Sequence, residues 1–291
     1  PSSRSNLLLD FTDPTSTVTL PTEGYVGSVA KSFTQITGTA ADSLGPGGEA
    51  ADLNKIELRL KREEPLPARY WDGNTWVDTE PSDYPDATIA ENISGQTYRW
   101  YYSFSGTGPW TNDGRYTVAV RAVDDSLQPS ETAGTGNAEW SVGLPPAVIT
   151  FYFDSEPPSS NFTNISNNDH KNSFPTISGT ASDYSSAYNW RRITSVKLHI
   201  YDNINKKSYN GNPNPTNWAS DPSDTLRLDE NYWYNATFVG LSSGVWSFTS
   251  PNWENTIEYR ILVKSYDAGN NVQVNLSTVN FVYDLYQSDP E

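Results

Sequence analysis

The phrase Gly-Thr-Ala-(Ala/Ser)-Asp occurs twice, as ITGTAAD from Ile36 to Asp42 and as ISGTASD from Ile177 to Asp183. Each copy lies downstream of a run rich in Asp, Pro, Ser and Thr. A chain that repeats itself half its length later is built from two copies of one unit, and each copy has to bury its own core. Length agrees, because 291 residues exceed the roughly 250 at which a single core stops growing.

Within each copy the hydrophobic period is two. In LNKIELRLKRE, Ile56, Leu58 and Leu60 are predicted to face a core while Glu57, Arg59 and Lys61 face water; in ITSVKLHIYDN the inward set is Val196, Leu198 and Ile200. Further strands are predicted at Tyr98 to Phe104, Arg115 to Asp124 and Ala147 to Asp154, with counterparts at Val245 to Ser250, Glu258 to Asp267 and Ser277 to Asp284. No segment carries a useful helical period, and about seven short strands per half, punctuated by turn residues, are the pattern of an antiparallel sandwich. The aromatic fraction of 13% in a chain poor in aliphatics suits half-buried strands.

Aligning the copies also marks where each begins. Asp10 in DFTDPTS matches Asp154 in DSEPPSS, and Asp284 opens the phrase again in DLYQSDPE. The expectation is a first module over 9–152, a second over 153–285, and the start of a following linker or module over 286–291, in an extended array. The first residues, PSSRSNLLLD, read as an excised or mature start.

These features resemble the tandem bacterial Ig-like domains of large cell-surface and adhesin-type proteins. The matching residues are the two GTA(A/S)D phrases, YWDGNTW from Tyr70 to Trp76, SYDAGNNV from Ser265 to Val272, and the Asp-Pro linkers. The first copy departs from the pattern with AVDDSLQPS where the second has SYDAGNN. The resemblance implies two Ig-like β-sandwiches in a secreted or surface-attached protein, with a spacing or adhesive task, neighbouring modules of the same chain as partners, and surface glycans or proteins as further partners. It implies no enzyme. The alternative is a pair of carbohydrate-binding or spacer modules of a secreted polysaccharide-active enzyme.

In an Ig-like module the loops after the second and sixth strands lie at the end where the chain enters. For the second module this gathers Asp154, Glu156, Asp183 and Asp267, with Asn270 as a neutral oxygen; the matching set in the first is Asp10, Asp13, Asp42, Asp124 and Asp125. Calcium takes six to eight hard oxygens in irregular geometry, so such sets, completed by carbonyls and water, are candidate calcium sites that would stiffen the junctions. The competing reading is turn chemistry, since Asp and Asn close loops through nearby backbone amides.

Other residues narrow the function. A net charge of -16, from 19 basic and 35 acidic side chains, would repel a phosphate backbone and argues against nucleic acid. Without cysteine, disulfides, thiolate catalysis and Cys-zinc sites are excluded. No window of about 18 apolar residues suggests membrane insertion in this segment. His170 lies in a polar linker and His199 on the outward face of a strand, with no nucleophile or second ligand beside them in the sequence; phosphate-loop, HExxH and GxSxG patterns are absent. Tyr116 and Tyr259 are predicted to bond back to the chain at the start of the sixth strand, as tyrosines of this fold do. Trp100 and Trp246 read as core fillers, while Trp71, Trp76, Trp110 and Trp233 lie near turns, where Trp71 and Trp76 are the candidates for stacking on a sugar or a partner.

Overall fold

The computed structural model describes residues 13–26, 34–42, 53–106, 108–124, 147–183 and 192–286. The chain separates into two compact units, Pro1–Asp154 and Ser155–Glu291. Among the described residues there is no α-helix, only strands and three short 3-10 turns.

The first unit contains β1 (Thr15–Leu20), β2 (Gly24–Val26), β3 (Gln35–Ala41), β4 (Leu53–Glu64), β5 (Arg69–Trp71), β6 (Trp76–Val77), β7 (Asp86–Ser94), β8 (Thr97–Ser103), β9 (Gly114–Asp124) and β10 (Ala147–Phe153). Its strands pair in the order β1-β3-β8-β7-β4-β9-β10-β2. Strand β7 makes the corner: Asp86 and Ala87 pair with β4, whereas Thr88 onward pairs with β8. The two faces so formed enclose Ile36, Ile56, Leu58, Leu60, Trp100, Val118 and Phe151.

The second unit contains β11 (Ser159–Phe162), β12 (Asp169–Lys171), β13 (Thr176–Ser182), β14 (Ile193–Asp202), β15 (Lys207–Ser208), β16 (Ala219–Ser220), β17 (Tyr234–Asn235), β18 (Thr237–Gly240), β19 (Ser243–Thr249), β20 (Ile257–Asp267) and β21 (Ser277–Tyr283). Here the sheets are separate, β11-β13-β19-β18 against β12-β21-β20-β14-β15-β16, with β17 on β14. The β17–β18 pair does what β7 does in the first unit, since its first piece pairs with β14 and its second with β19. Val196, Leu198 and Ile200 are fully buried in the core with Ile177, Trp246, Tyr259 and Phe281.

The repeated Gly-Thr-Ala phrase has a steric cause. Gly38 on β3 pairs with Trp100 on β8, and Gly179 on β13 pairs with Trp246 on β19. Each indole lies across its glycine: a Cβ on Gly179 would sit less than 3.0 Å from both the Trp246 ring and the Asn161 carbonyl of β11, and one on Gly38 would meet Trp100 and the Thr17 carbonyl of β1 in the same way. Any larger residue would force the neighbouring strand and the largest core side chain apart.

A second repeated device sits at the start of β9 and of β20. The Tyr116 hydroxyl accepts the Thr111 N–H at 2.7 Å, and the Tyr259 hydroxyl accepts the Glu254 N–H at 2.9 Å. Both tyrosines are fully buried, and both pack against the tryptophan one residue before the bonded amide, Tyr116 edge-on against Trp110 and Tyr259 tilted against Trp253.

One alternation expectation fails in an instructive way. Glu57 points away from the core, as the period requires, but it is buried rather than facing water. The cations flanking it, Lys55 at 2.5 Å on the same strand and Arg121 on β9, close over the carboxylate and neutralise it.

Candidate metal centre

Strands β13 and β20 belong to different sheets of the second sandwich, yet both run toward the end at which the chain enters it. Asp183 follows the last residue of β13, where its N–H donates to the Ser242 carbonyl at 2.7 Å. Asp267 is the last residue of β20. Its Oδ1 accepts the Asn271 N–H at 2.7 Å and its Oδ2 accepts the Asn271 amide at 2.9 Å, which closes the following loop around the carboxylate. Asp154 follows β10 and leads the chain into β11. Carboxylate oxygens of Asp154, Asp183 and Asp267 lie within 4.8 Å of one another, and all three residues are at most 4% exposed.

That arrangement has an electrostatic cost. At an effective dielectric of about 20, two unit charges at such a separation repel by ~3.5 kcal/mol. Buried carboxylates in groups are held by cations or hydrogen bonds, or they take up protons. Three hard, anionic oxygens fit calcium, which accepts irregular oxygen shells, and contain none of the nitrogen or sulfur donors that zinc favours.

The remaining sequence-named residues fall in different places. Glu156 is half-buried and is not one of the grouped carboxylates; Asn270 is exposed, in the left-handed conformation at a φ of 64°. Asn271, which the sequence reading passed over, is the asparagine that bonds Asp267. Its signal is the Asp-x-x-x-Asn spacing of DAGNN, in which an aspartate can cap an amide four residues ahead. In the first unit Asp42, after β3, and Asp124, at the end of β9, occupy the corresponding positions and are buried. The Asp42 N–H donates to the Gln96 carbonyl, as Asp183 does to Ser242. Asp13 is exposed; Asp10 and Asp125 lie outside the described residues.

The tryptophans near turns are engaged in packing. Trp71 and Trp76 sit edge to face across the β5–β6 hairpin, half-buried against the core, and donate their indole N–H groups to the Tyr102 hydroxyl and the Pro109 carbonyl. Trp110 packs on Phe104, Tyr116 and Phe151. Trp233 is buried over His199, with the Lys264 ammonium 3.9 Å from its ring centroid.

His199 lies on the outward face of β14 but is fully buried, because the 203–235 segment folds back over that face. There it meets Ser208 and Asp221, a trio whose types are those of a hydrolase. The connections are different. Ser208 Oγ donates to Asp221 at 2.8 Å and is 3.5 Å from His199 Nε2; Asp221 also accepts the Thr225 and Leu226 amides; and His199 Nδ1 faces the Tyr232 carbonyl at 3.1 Å. Ser208 therefore gives its proton to the carboxylate, not to the imidazole, and all three are at most 2% exposed. Burial lowers the His199 pKa against the opposing effect of the Tyr232 carbonyl. Burial alone would raise Asp221, but the bonds from Ser208, Thr225 and Leu226 hold it below the ordinary range. The trio is a neutral-imidazole structural network that fastens the folded-back segment.

Fold and site together define two antiparallel β-sandwiches in one chain, the second with a buried carboxylate cluster where the chain enters. No protein-family model and no curated protein matches the sequence. Among solved structures the chain is similar to the fibronectin(III)-like modules of Clostridium thermocellum CbhA, at 14% identity over 95% of this chain and 98% of that one, with a TM-score of 0.36. It is similar also to the FN1-FN3 domains of chicken CNTN1, at 11% identity over 94% of this chain and 66% of that one, TM-score 0.36. A set of titin domains matches at 8% identity over 93% of this chain and 65% of that one, TM-score 0.35. The sandwich assignment rests on the strands, registers and cores described above. Among the described residues no helix is long and apolar enough to cross a membrane.

Proposed function

We infer that this chain is a spacer or adhesion segment of a secreted or surface-attached protein, in which calcium fastens the incoming chain to the second sandwich. The observation that carries the reading is the convergence of Asp154, Asp183 and Asp267, three buried carboxylates contributed by the incoming linker and by one loop from each sheet. A cation shared by them removes the rotational freedom of the residues that lead into β11, and Pro157 and Pro158 restrict the same stretch independently. Binding to the folded state alone raises stability by mass action, about 2.7 kcal/mol at a hundred times the Kd. In the first unit Asp42 and Asp124 would supply two ligands of a second such site. Neighbouring modules of the same chain are the natural partners of a spacer, and surface glycans or proteins those of an adhesin.

The test is a thermal melt of the full chain in millimolar calcium against excess chelator, repeated with Asp183→Asn. Calcium should raise the midpoint of the second unit in a concentration-dependent way, and the variant should abolish the rise while retaining the fold. Equal midpoints with and without calcium would make these aspartates loop-closing residues and remove the ion from the account.

A further inference from the structure

Among the described residues the sheet β11-β13-β19-β18 of the second sandwich ends on an edge, for β18 pairs with β19 alone. The first unit is built on the same plan. From Thr88 onward β7 pairs with β8 alone, and Trp100 on β8 and Trp246 on β19 mark equivalent positions, opposite Ile89 and Phe238. The two edges treat their free backbone groups differently.

An unpaired strand is a template for another strand, and proteins guard such edges with charges and bulges. Strand β7 carries both. Its register against β8 shifts between Ile89 and Glu91 and again between Asn92 and Ser94, and Glu91 pairs with Arg99 at 2.7 Å. Strand β18 carries neither. Its register against β19 runs unbroken from Thr237 to Gly240. The residue before the tryptophan, Arg99 in the first unit, is Val245 in the second, and its cross-strand partner, Glu91 in the first, is Val239. These two valines are 58% and 67% exposed. No strand of this sheet contains a charged residue, in a chain of net charge -16.

We propose that β18 is a self-association edge: two copies of this chain join their β18 strands antiparallel about a twofold axis, so that the sheet and its exposed valines continue from one copy into the other. A twofold contact needs a strand that complements itself, and an uncharged, unbulged edge does so. Charge selects a second copy as the occupant. Two copies of like net charge repel over most of their surfaces, and a sheet without charged residues is where they meet with no carboxylates opposed. An acidic or basic partner finds no counter-charge there. Four paired residues keep the contact at the small, reversible end of protein interfaces. The inference does not rest on the calcium reading.

The test is sedimentation equilibrium of the full chain in excess chelator up to ~1 mM, with hydrogen exchange of the backbone amides. A dimer should form with a Kd below about 1 mM, tighten between about 0.1 M and about 1 M salt as repulsion is screened, and protect the amides of Thr237 to Gly240. Val239→Lys should weaken it at least about tenfold. Val239→Glu/Val245→Arg, which installs the ion pair that the first unit carries, should do the same with unchanged melting. Thr17→Lys, an equal charge on an exposed strand position of the first unit, should leave the Kd unchanged. A chain monomeric at ~1 mM in about 1 M salt would overturn the proposal. So would a dimer that both edge variants retain, or one that leaves β18 unprotected, or protection of β18 that only an unrelated extended peptide produces.

Discussion

Replacing Gly179 with alanine adds a single methyl group, yet the structure leaves no room for it. The added Cβ would lie less than 3.0 Å from the Asn161 carbonyl, from Trp246 Cζ2 and from Trp246 Cε2 at once. A flexible side chain could move aside, but Asn161 is backbone paired in register with Thr180, and Trp246 is 1% exposed at the centre of the core. Relief requires β11 to lift from β13 or the indole to leave its rotamer. Overpacking of a well-filled core costs roughly 1–3 kcal/mol, and a clash with both backbone and the largest core ring belongs at the top of that range. For a unit of this size ~3 kcal/mol corresponds to a fall in Tm of about 10 °C. Scanning calorimetry of the full chain should show the second unit's transition moving by that amount, with the first unit's unmoved; Gly38→Ala should do the reverse. Thr180→Ala, on the exposed face of the same strand, should stay within about 0.5 kcal/mol. The double variant Gly179→Ala/Trp246→Leu should show a favourable coupling but incomplete rescue, because the Asn161 carbonyl remains. A Gly179→Ala protein that melts within 0.5 kcal/mol of the parent would refute the steric account of the repeated phrase.

Two further outcomes follow from the buried polar groups. His199 has its pKa lowered in the folded state, so the unfolded chain binds the extra proton: the stabilisation is complete above the ordinary imidazole value of 6.5 and is lost as pH falls below it toward the folded-state value. Of the charged groups that act on it, Asp224, Arg260 and Asp221, the last has its carboxyl held below the ordinary range by its hydrogen bonds, so denaturant midpoints at pH 7.5 and 5 should differ in the parent and converge in His199→Asn; equal pH dependence in both would assign the effect elsewhere. Tyr259→Phe removes the acceptor for the Glu254 N–H while keeping the ring, and should cost about 1–2 kcal/mol in chemical denaturation; a neutral result would show that water satisfies that amide.

What the sequence determined by itself is whatever depends on near neighbours. The period of two in β4 and β14 put Ile56, Leu58, Leu60, Val196, Leu198 and Ile200 inside, because successive side chains of a strand must point to opposite faces. The repeat revealed two units, and the tyrosines at the start of β9 and β20 announced their own hydrogen bonds. The glycine of each repeated phrase was visible, but its reason was not, since Trp100 and Trp246 are distant in sequence and become neighbours only through strand pairing. Tertiary structure alone decided what covers an outward face. The same alternation that sends Glu57 and His199 away from the core says nothing of Arg121 or of the 203–235 segment, which bury them. It also decided that Asp154, Asp183 and Asp267 meet within 4.8 Å. Local periodicity sets which way a side chain points; what it meets there is fixed by loops and strands that loop closure brings from far along the chain.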